Sequence, residues 1–159
     1  MTTLSKAAID HINEWVLRYP PEQKRSGVFE ALRYVQAENG GYLSIELMNA
    51  VADHLGMPHI AVYEVASFYT LYNLNKVGKH QIDLCTNVPC QLNGAEKAAE
   101  HLKKILGINF NETTADGRVT LREVECLGAC VNAPVCQIGH TYHEHLTTDK
   151  LDALVASLT

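Results

Sequence analysis

No stretch of this sequence is apolar for long enough to span a bilayer. The first residues, Met1-Thr2-Thr3-Leu4-Ser5-Lys6, lack the apolar core of a secretion signal. They also lack the arginine-rich, acid-poor character of an organelle transit peptide. A cytosolic chain is therefore expected. A basic surplus is missing too: the formal net charge is -5, and no run interleaves basic with aromatic residues. That argues against a nucleic-acid binder. There is no G-x-G-x-x-G, no P-loop and no nucleophile elbow, so the chain shows no means of binding NADH or flavin itself. C-x-x-C is absent, which removes the usual dithiol redox motif. Repeats and low-complexity segments are also lacking.

What is present is a globular composition, 47% hydrophobic and 19% charged over 159 residues, enough for a core of useful size. All five cysteines lie between Cys85 and Cys136. Four form two close pairs, Cys85-x4-Cys90 and Cys126-x3-Cys130. In the cytosol such pairs point to metal ligands or redox thiols rather than structural disulfides.

The first half reads as helices. Ile9, Ile12 and Val16 recur at helical spacing until Tyr19-Pro20-Pro21 ends the run. A second helix carries Val28, Leu32 and Val35 and stops at Gly40-Gly41. Ser44 suits the N-cap of a third helix, with Leu47, Met48, Val51 and Leu55 inward and Gly56 at its end. Pro58 starts a fourth, striped by Val62, Val65, Ala66 and Tyr69. A small bundle over residues 1–76 follows. The aromatic run from Ser67 to Tyr72 is expected in its core, with a partner surface as the other reading.

Near Asn73 to Gly78 the pattern turns strand-like, and a second domain is expected over residues 77–159. His80 to Leu84 alternates as a strand and delivers Cys85 at its end. Gly94 to Leu106 reads as a helix, Val119 to Val124 as a strand leading to Cys126, and Pro134 to Ile138 and Tyr142 to Leu146 as strands around Gly139. Thr147 or Thr148 caps a last helix carrying Leu151, Leu154, Val155 and Leu158. The order strand, helix, three strands, helix fits a layered α/β unit.

Four thiolates in two pairs suit a [2Fe-2S] cluster, which takes two ligands per iron. Gly128 and Ala129 keep the second loop slim, so backbone amides can approach sulfur. Zinc remains open, although structural zinc sites favour C-x2-C knuckles. Thiol redox chemistry and inert buried cysteines remain open as well. Cys136 lies in a strand-like run and reads as a core cysteine. His143 and His145 would share a strand face; without a third ligand this reads as a solvated face.

These residues also support a family comparison. Tyr19-Pro20, Ser26-Gly27-Val28, Gln36-Ala37-Glu38-Asn39-Gly40 and Val62-Tyr63-Glu64-Val65-Ala66-Ser67-Phe68-Tyr69-Thr70 mark the first half. The two cysteine pairs, with Glu125-Cys126-Leu127-Gly128-Ala129-Cys130 and Ala133-Pro134-Val135, mark the second. Over nearly its whole length the chain resembles the 24 kDa (NuoE-type) subunits of respiratory complex I, NADH:quinone oxidoreductase. The resemblance implies an N-terminal four-helix region followed by a thioredoxin-like [2Fe-2S] ferredoxin domain. It implies one [2Fe-2S] cluster on Cys85, Cys90, Cys126 and Cys130. It further implies an electron-transfer subunit that accepts single electrons from FMN, with FMN and NADH held by a NuoF-type partner subunit and an adjoining iron-sulfur subunit nearby. Contact with the membrane would be indirect, at the cytoplasmic face of the bacterial inner membrane. Cys136 departs from the pattern, where an apolar residue is usual. The equivalent diaphorase subunit of an NAD-linked hydrogenase or formate dehydrogenase is an alternative with the same chemistry. A zinc-stabilised interaction module is the alternative from another class.

Overall fold

The computed structural model describes residues 3–159, which divide into two compact units meeting in sequence at Lys76 and Val77. In the first unit, α1 (Lys6–Val16), α2 (Val28–Glu38), α3 (Ile45–Leu55) and α4 (His59–Phe68) follow one another. Local chemistry sets their ends. Ser5 accepts from the Ala8 amide at 2.9 Å, and Ser44 accepts from the Leu47 amide at 3.3 Å. Each hydroxyl satisfies one of the amides that a helix start leaves without a partner. Gly56 closes α3 in the left-handed conformation.

Ile12, Leu32, Val35, Val51 and Val62 form the buried centre of this unit. Between α1 and α2 the residues Pro21–Gly27 form a 3-10 segment that the periodicity does not foretell. The segment after α4 is tied down by side chains rather than by a helix. Gln36 donates from Nε2 to the Leu71 carbonyl at 3.1 Å and accepts from the Asn73 amide at 2.7 Å. Tyr72 is buried and donates its hydroxyl to the Phe29 carbonyl at 2.8 Å.

The aromatic run is split, against the expectation of a core segment. Only Tyr72 is buried; Phe68 is 77% exposed and Leu71 50%. Tyr69 lies beyond α4 rather than on its stripe. The helix ends at Phe68, so the inward phase is lost there. Glu30 is buried, an outcome hidden in the sequence. It accepts from Arg33 at 2.6 and 2.7 Å and contacts His11 at 2.8 Å. The Arg33 hydrogen bond, aided by His11, holds its carboxyl below the usual range.

The second unit is built on a five-stranded sheet. Its elements are β1 (His80–Cys85), α5 (Val88–Leu92), α6 (Ala95–Leu106), β2 (Glu112–Thr113), β3 (Val119–Val124), β4 (Cys136–Ile138), β5 (Thr141–His143) and α7 (Thr148–Ser157). The spatial order is β2-β3-β1-β4-β5. β1 and β3 run parallel, in a register that pairs His80 with Val119 and Cys85 with Val124; the other pairings are antiparallel. Alternation puts Ile82 and Leu84 on one face with Val119, Leu121 and Cys136. Ala98, Ala99 and Leu102 of α6 and Leu151 and Val155 of α7 cover that face.

Gly78 leads the chain into β1. A Cβ there would stand 3.0 Å from the Val119 backbone, tighter than side chains usually pack, so glycine eases the close approach to β3, where the Gly78 amide donates to Thr120 Oγ1 at 2.7 Å. Two short elements, β2 and α5, go beyond the sequence expectation. β5 ends at His143, three residues before the strand end read from the sequence. His145 adopts a positive φ of 49°, so it shares no strand face with His143.

Candidate metal centre

β1 is the element that positions the first sulfur. Its parallel pairing with β3 and antiparallel pairing with β4 hold it in the middle of the sheet. It ends at Cys85, whose amide donates to the Val135 carbonyl at 3.1 Å. Two residues on, Asn87 caps α5 by accepting from the Val88 amide at 2.9 Å. Pro89 sits in the first turn of α5, where its missing amide costs nothing. Cys90 therefore stands on a helix of five residues.

Cys85 and Cys90 are each 1% exposed and pack with Ala95 and Val135, against Leu127, Ala129 and Ala133. Burial, with the hydrogen bond that the Cys90 thiol donates to the neighbouring Cys85 sulfur, pushes the Cys90 thiol up to about 11. The Val135 amide works the other way by donating to the Cys90 sulfur.

The second pair follows β3. Cys126 is exposed and Cys130 half-buried, at the start of a short 3-10 turn, Cys130–Asn132. Their sulfurs are 3.3 Å apart. The Gly128 amide donates to Cys126 Sγ at 3.4 Å, and this bond, with one from Cys130, pulls the Cys126 thiol below its ordinary range. Gly128 has φ +81°, with open space where a side chain would be. Glycine is needed here for conformation, not for room. Tyr142, from β5, donates its hydroxyl to the Leu127 carbonyl at 2.8 Å and steadies the crown of this loop.

The two pairs lie near enough for charge on one to act on the other. Charge on Cys85 and Cys130 is felt at Cys90, and charge on Cys85 is felt at Cys130. Among the described residues, however, no three His, Cys, Asp or Glu side chains converge on a single point. A mononuclear tetrahedral ion takes four donors at one point. A binuclear iron-sulfur centre takes two thiolates at each of two points. Two neighbouring pairs of soft sulfur donors match the second demand in number and in softness. Cys136 stands apart. It is fully buried in β4 among the side chains that cover the sheet, and burial pushes its thiol up to about 12.

Exposed apolar side chains neighbour two of the cysteines along the chain. Val88 and Leu92 of α5 are 66% and 81% exposed, and Val131, beside Cys130, is 91% exposed. Sequence periodicity could not reveal this exposure, because neither short element is long enough to show a face.

Comparison with known proteins agrees with this geometry. The family model described as thioredoxin-like [2Fe-2S] ferredoxin matches residues 12–159. The chain is 45% identical over 156 residues to the E subunit of the NADH-quinone oxidoreductase of Rickettsia conorii, covering 98% of this chain and 93% of the relative. It is 44% identical over 148 residues to the second E subunit of the NADH-quinone oxidoreductase of Rhizobium meliloti, covering 93% and 86%. Among solved structures, NAD+-reducing [NiFe]-hydrogenase in the air-oxidized state matches with a TM-score of 0.72 at 22% identity. That match covers 83% of this chain and 22% of the hydrogenase chain, and the likeness is one of fold.

Proposed function

The chain belongs to the thioredoxin-like [2Fe-2S] ferredoxin family, and from that membership we propose that it is the cluster-bearing electron-transfer subunit of the NADH-oxidising module of an NADH:quinone oxidoreductase. What supports the reading is four cysteine sulfurs in two neighbouring pairs that feel one another's charge. Cys85 and Cys90 would hold one iron, and Cys126 and Cys130 the other. A [2Fe-2S] cluster, when bound, takes up and returns electrons one at a time.

The chain's own groups prepare the site. The amides of Gly128 and Val135 donate to the sulfurs of Cys126 and Cys90 and offset negative charge there. Leu127, Ala129 and Ala133 pack against the buried pair and keep water from that side. Cys126, by contrast, faces outward. Electrons would therefore enter and leave on the side of Val88, Leu92 and Val131. Exposed apolar side chains of this kind suit a partner surface.

Hydride removal belongs, in this reading, to a NuoF-type partner subunit that holds FMN and NADH, with an adjoining iron-sulfur subunit as second neighbour. Among the described residues no helix is long and apolar enough to cross a membrane. Association with the cytoplasmic face of the inner membrane would thus come through those partners. The diaphorase of an NAD-linked hydrogenase would use the same chemistry. The relatives at 44–46% identity carry the quinone-oxidoreductase name, whereas the hydrogenase likeness stands at 22%. The first assignment is accordingly preferred.

Purification without oxygen tests both levels of the reading. Equal amounts of iron and acid-labile sulfide, a red-brown colour and a paramagnetic signal on reduction are expected. A colourless chain holding zinc would overturn it. Mass spectrometry of the proteins that co-purify from the host separates the two parent enzymes: a flavin-binding subunit with quinone-oxidoreductase partners is expected, and hydrogenase subunits would replace the first assignment by the second.

A further inference from the structure

We propose that Asn87 and Glu125 form a bracket that sets the separation of the two cysteine pairs, and that the Glu125 carboxylate held in it makes the centre harder to reduce. The inference rests on the ligand assignment made above. Its starting point is where the sheet stops. Parallel pairing of β1 with β3 ends at Cys85 and Val124, and one further backbone bond, from the Thr86 amide to the Val124 carbonyl at 3.3 Å, extends it. Beyond that the strands part. One leads into α5 with Cys90, the other into the loop of Cys126 and Cys130.

Side chains take over the crossing. Thr86 donates its hydroxyl to Glu123 at 2.7 Å, and Asn87 donates Nδ2 to Glu125 Oε2 at 2.6 Å. Asn87 also uses its carbonyl, which accepts from the Val88 amide. One amide group thus fixes the start of α5 and grips the residue next to Cys126. Its two ends reach both sulfur-bearing segments, so Asn87 is a positioning residue. Capping alone needs only an accepting oxygen, and serine or aspartate provides that as well. The N–H donor to Glu125 is what asparagine adds.

Glu125 contributes a second effect. Adding an electron adds negative charge, and a carboxylate one residue from Cys126 opposes it. Removing that charge while keeping the accepting oxygen therefore favours the reduced state.

The experiment uses the full-length chain loaded anaerobically with iron and sulfide. Asn87→Ser retains a capping oxygen but loses the Nδ2 donor; Glu125→Ala loses the acceptor; Glu125→Gln retains an acceptor without charge. Cluster absorbance is followed after addition of a chelator. Asn87→Ser and Glu125→Ala are expected to lose it about fivefold faster than the parent, and the double variant no faster than the worse single one, as for two ends of one bond. Glu125→Gln is expected to keep the parental lifetime. Its oxidised-to-reduced ratio at a fixed potential should fall about threefold, a midpoint rise of about 28 mV at 59 mV per decade.

Parental lifetimes in the single variants, or additive losses in the double, overturn the bracket. An unchanged midpoint in Glu125→Gln overturns the electrostatic part. If Asn87→Ser fails to fold, Glu125→Ala decides, because Glu125 is exposed and caps no helix. A parent chain that takes up no iron and sulfide would instead refute the ligand assignment, a distinct result.

Discussion

Cys85 and Cys90 are almost wholly buried, one at the end of a central strand and the other in a short helix, packed with Ala95 and Val135. Cys126 and Cys130 stand in a loop between β3 and β4, partly in solvent, with the Gly128 amide and the Tyr142 hydroxyl holding the loop in shape. The first pair is placed by the hydrophobic core and the sheet. The second is placed by a few hydrogen bonds and one left-handed glycine. A centre built this way has a rigid inner wall and an open outer one. The outer wall is the side a redox partner can approach.

The comparison breaks most severely when a ligand is removed. Cys85→Ser and Cys126→Ser should each abolish most of the iron and sulfide per chain, whereas Cys136→Ser should leave both at the parental level. Elemental analysis with a sulfide assay decides this, and equal loss in all three variants would contradict the ligand set.

Packing changes come next. Leu84 is fully buried beside Cys85. Leu84→Ala should cost about 2–5 kcal/mol in denaturant unfolding, because it leaves a cavity in the core that α6 and α7 cover. Gly128→Ala should cost about 1–2 kcal/mol, from forcing a side chain into the left-handed region. Its effect should be confined to the outer loop, whose conformation the glycine sets. A larger loss from Gly128→Ala than from Leu84→Ala would reverse the contrast drawn here.

The smallest effect is chemical. In the cluster-free chain, alkylation at neutral pH should reach Cys126 first, since it is exposed and its thiol is lowered by the Gly128 amide. Cys90 and Cys136 should lag. Their thiols are raised to about 11 and about 12, above the unfolded value of about 8.5. Folding thus favours their protonated forms. The associated stability is complete below pH about 8.5 and is lost as pH rises through the folded values. Urea unfolding of the cluster-free chain at pH 7, 9 and 10 should show this decline; a flat profile would count against the buried setting of this pair.

Much of this is legible in the residues. Ser44 and Gly56 mark α3 because caps satisfy backbone groups with the nearest side chain or the nearest permissive φ. The alternation in His80-Gln81-Ile82-Asp83-Leu84 marks β1, because one sheet face is buried. The cysteine spacings, with Gly128 between Cys126 and Cys130, point to paired thiolates. Other features are not legible. Val88-Pro89-Cys90-Gln91-Leu92 is too short to show a helical period, so α5 stays hidden. Phe68 and Leu71 are apolar yet exposed, since composition does not say where a helix stops facing inward. Glu30 is charged yet buried: Arg33, one turn on, is legible as a partner, but His11 comes from another helix.

Local chemistry, read along the chain, is enough for the element types, the ends of several helices and the identity of the sulfur donors, because these depend on neighbours within a few residues. Contacts distant in sequence decided the rest. The register of β1 with β3 brings Cys85 level with Val124, two residues before Cys126, and the α6 and α7 cover buries one sheet face. Those pairings fix which sulfurs face inward and which face out, and no short stretch of residues carries that information.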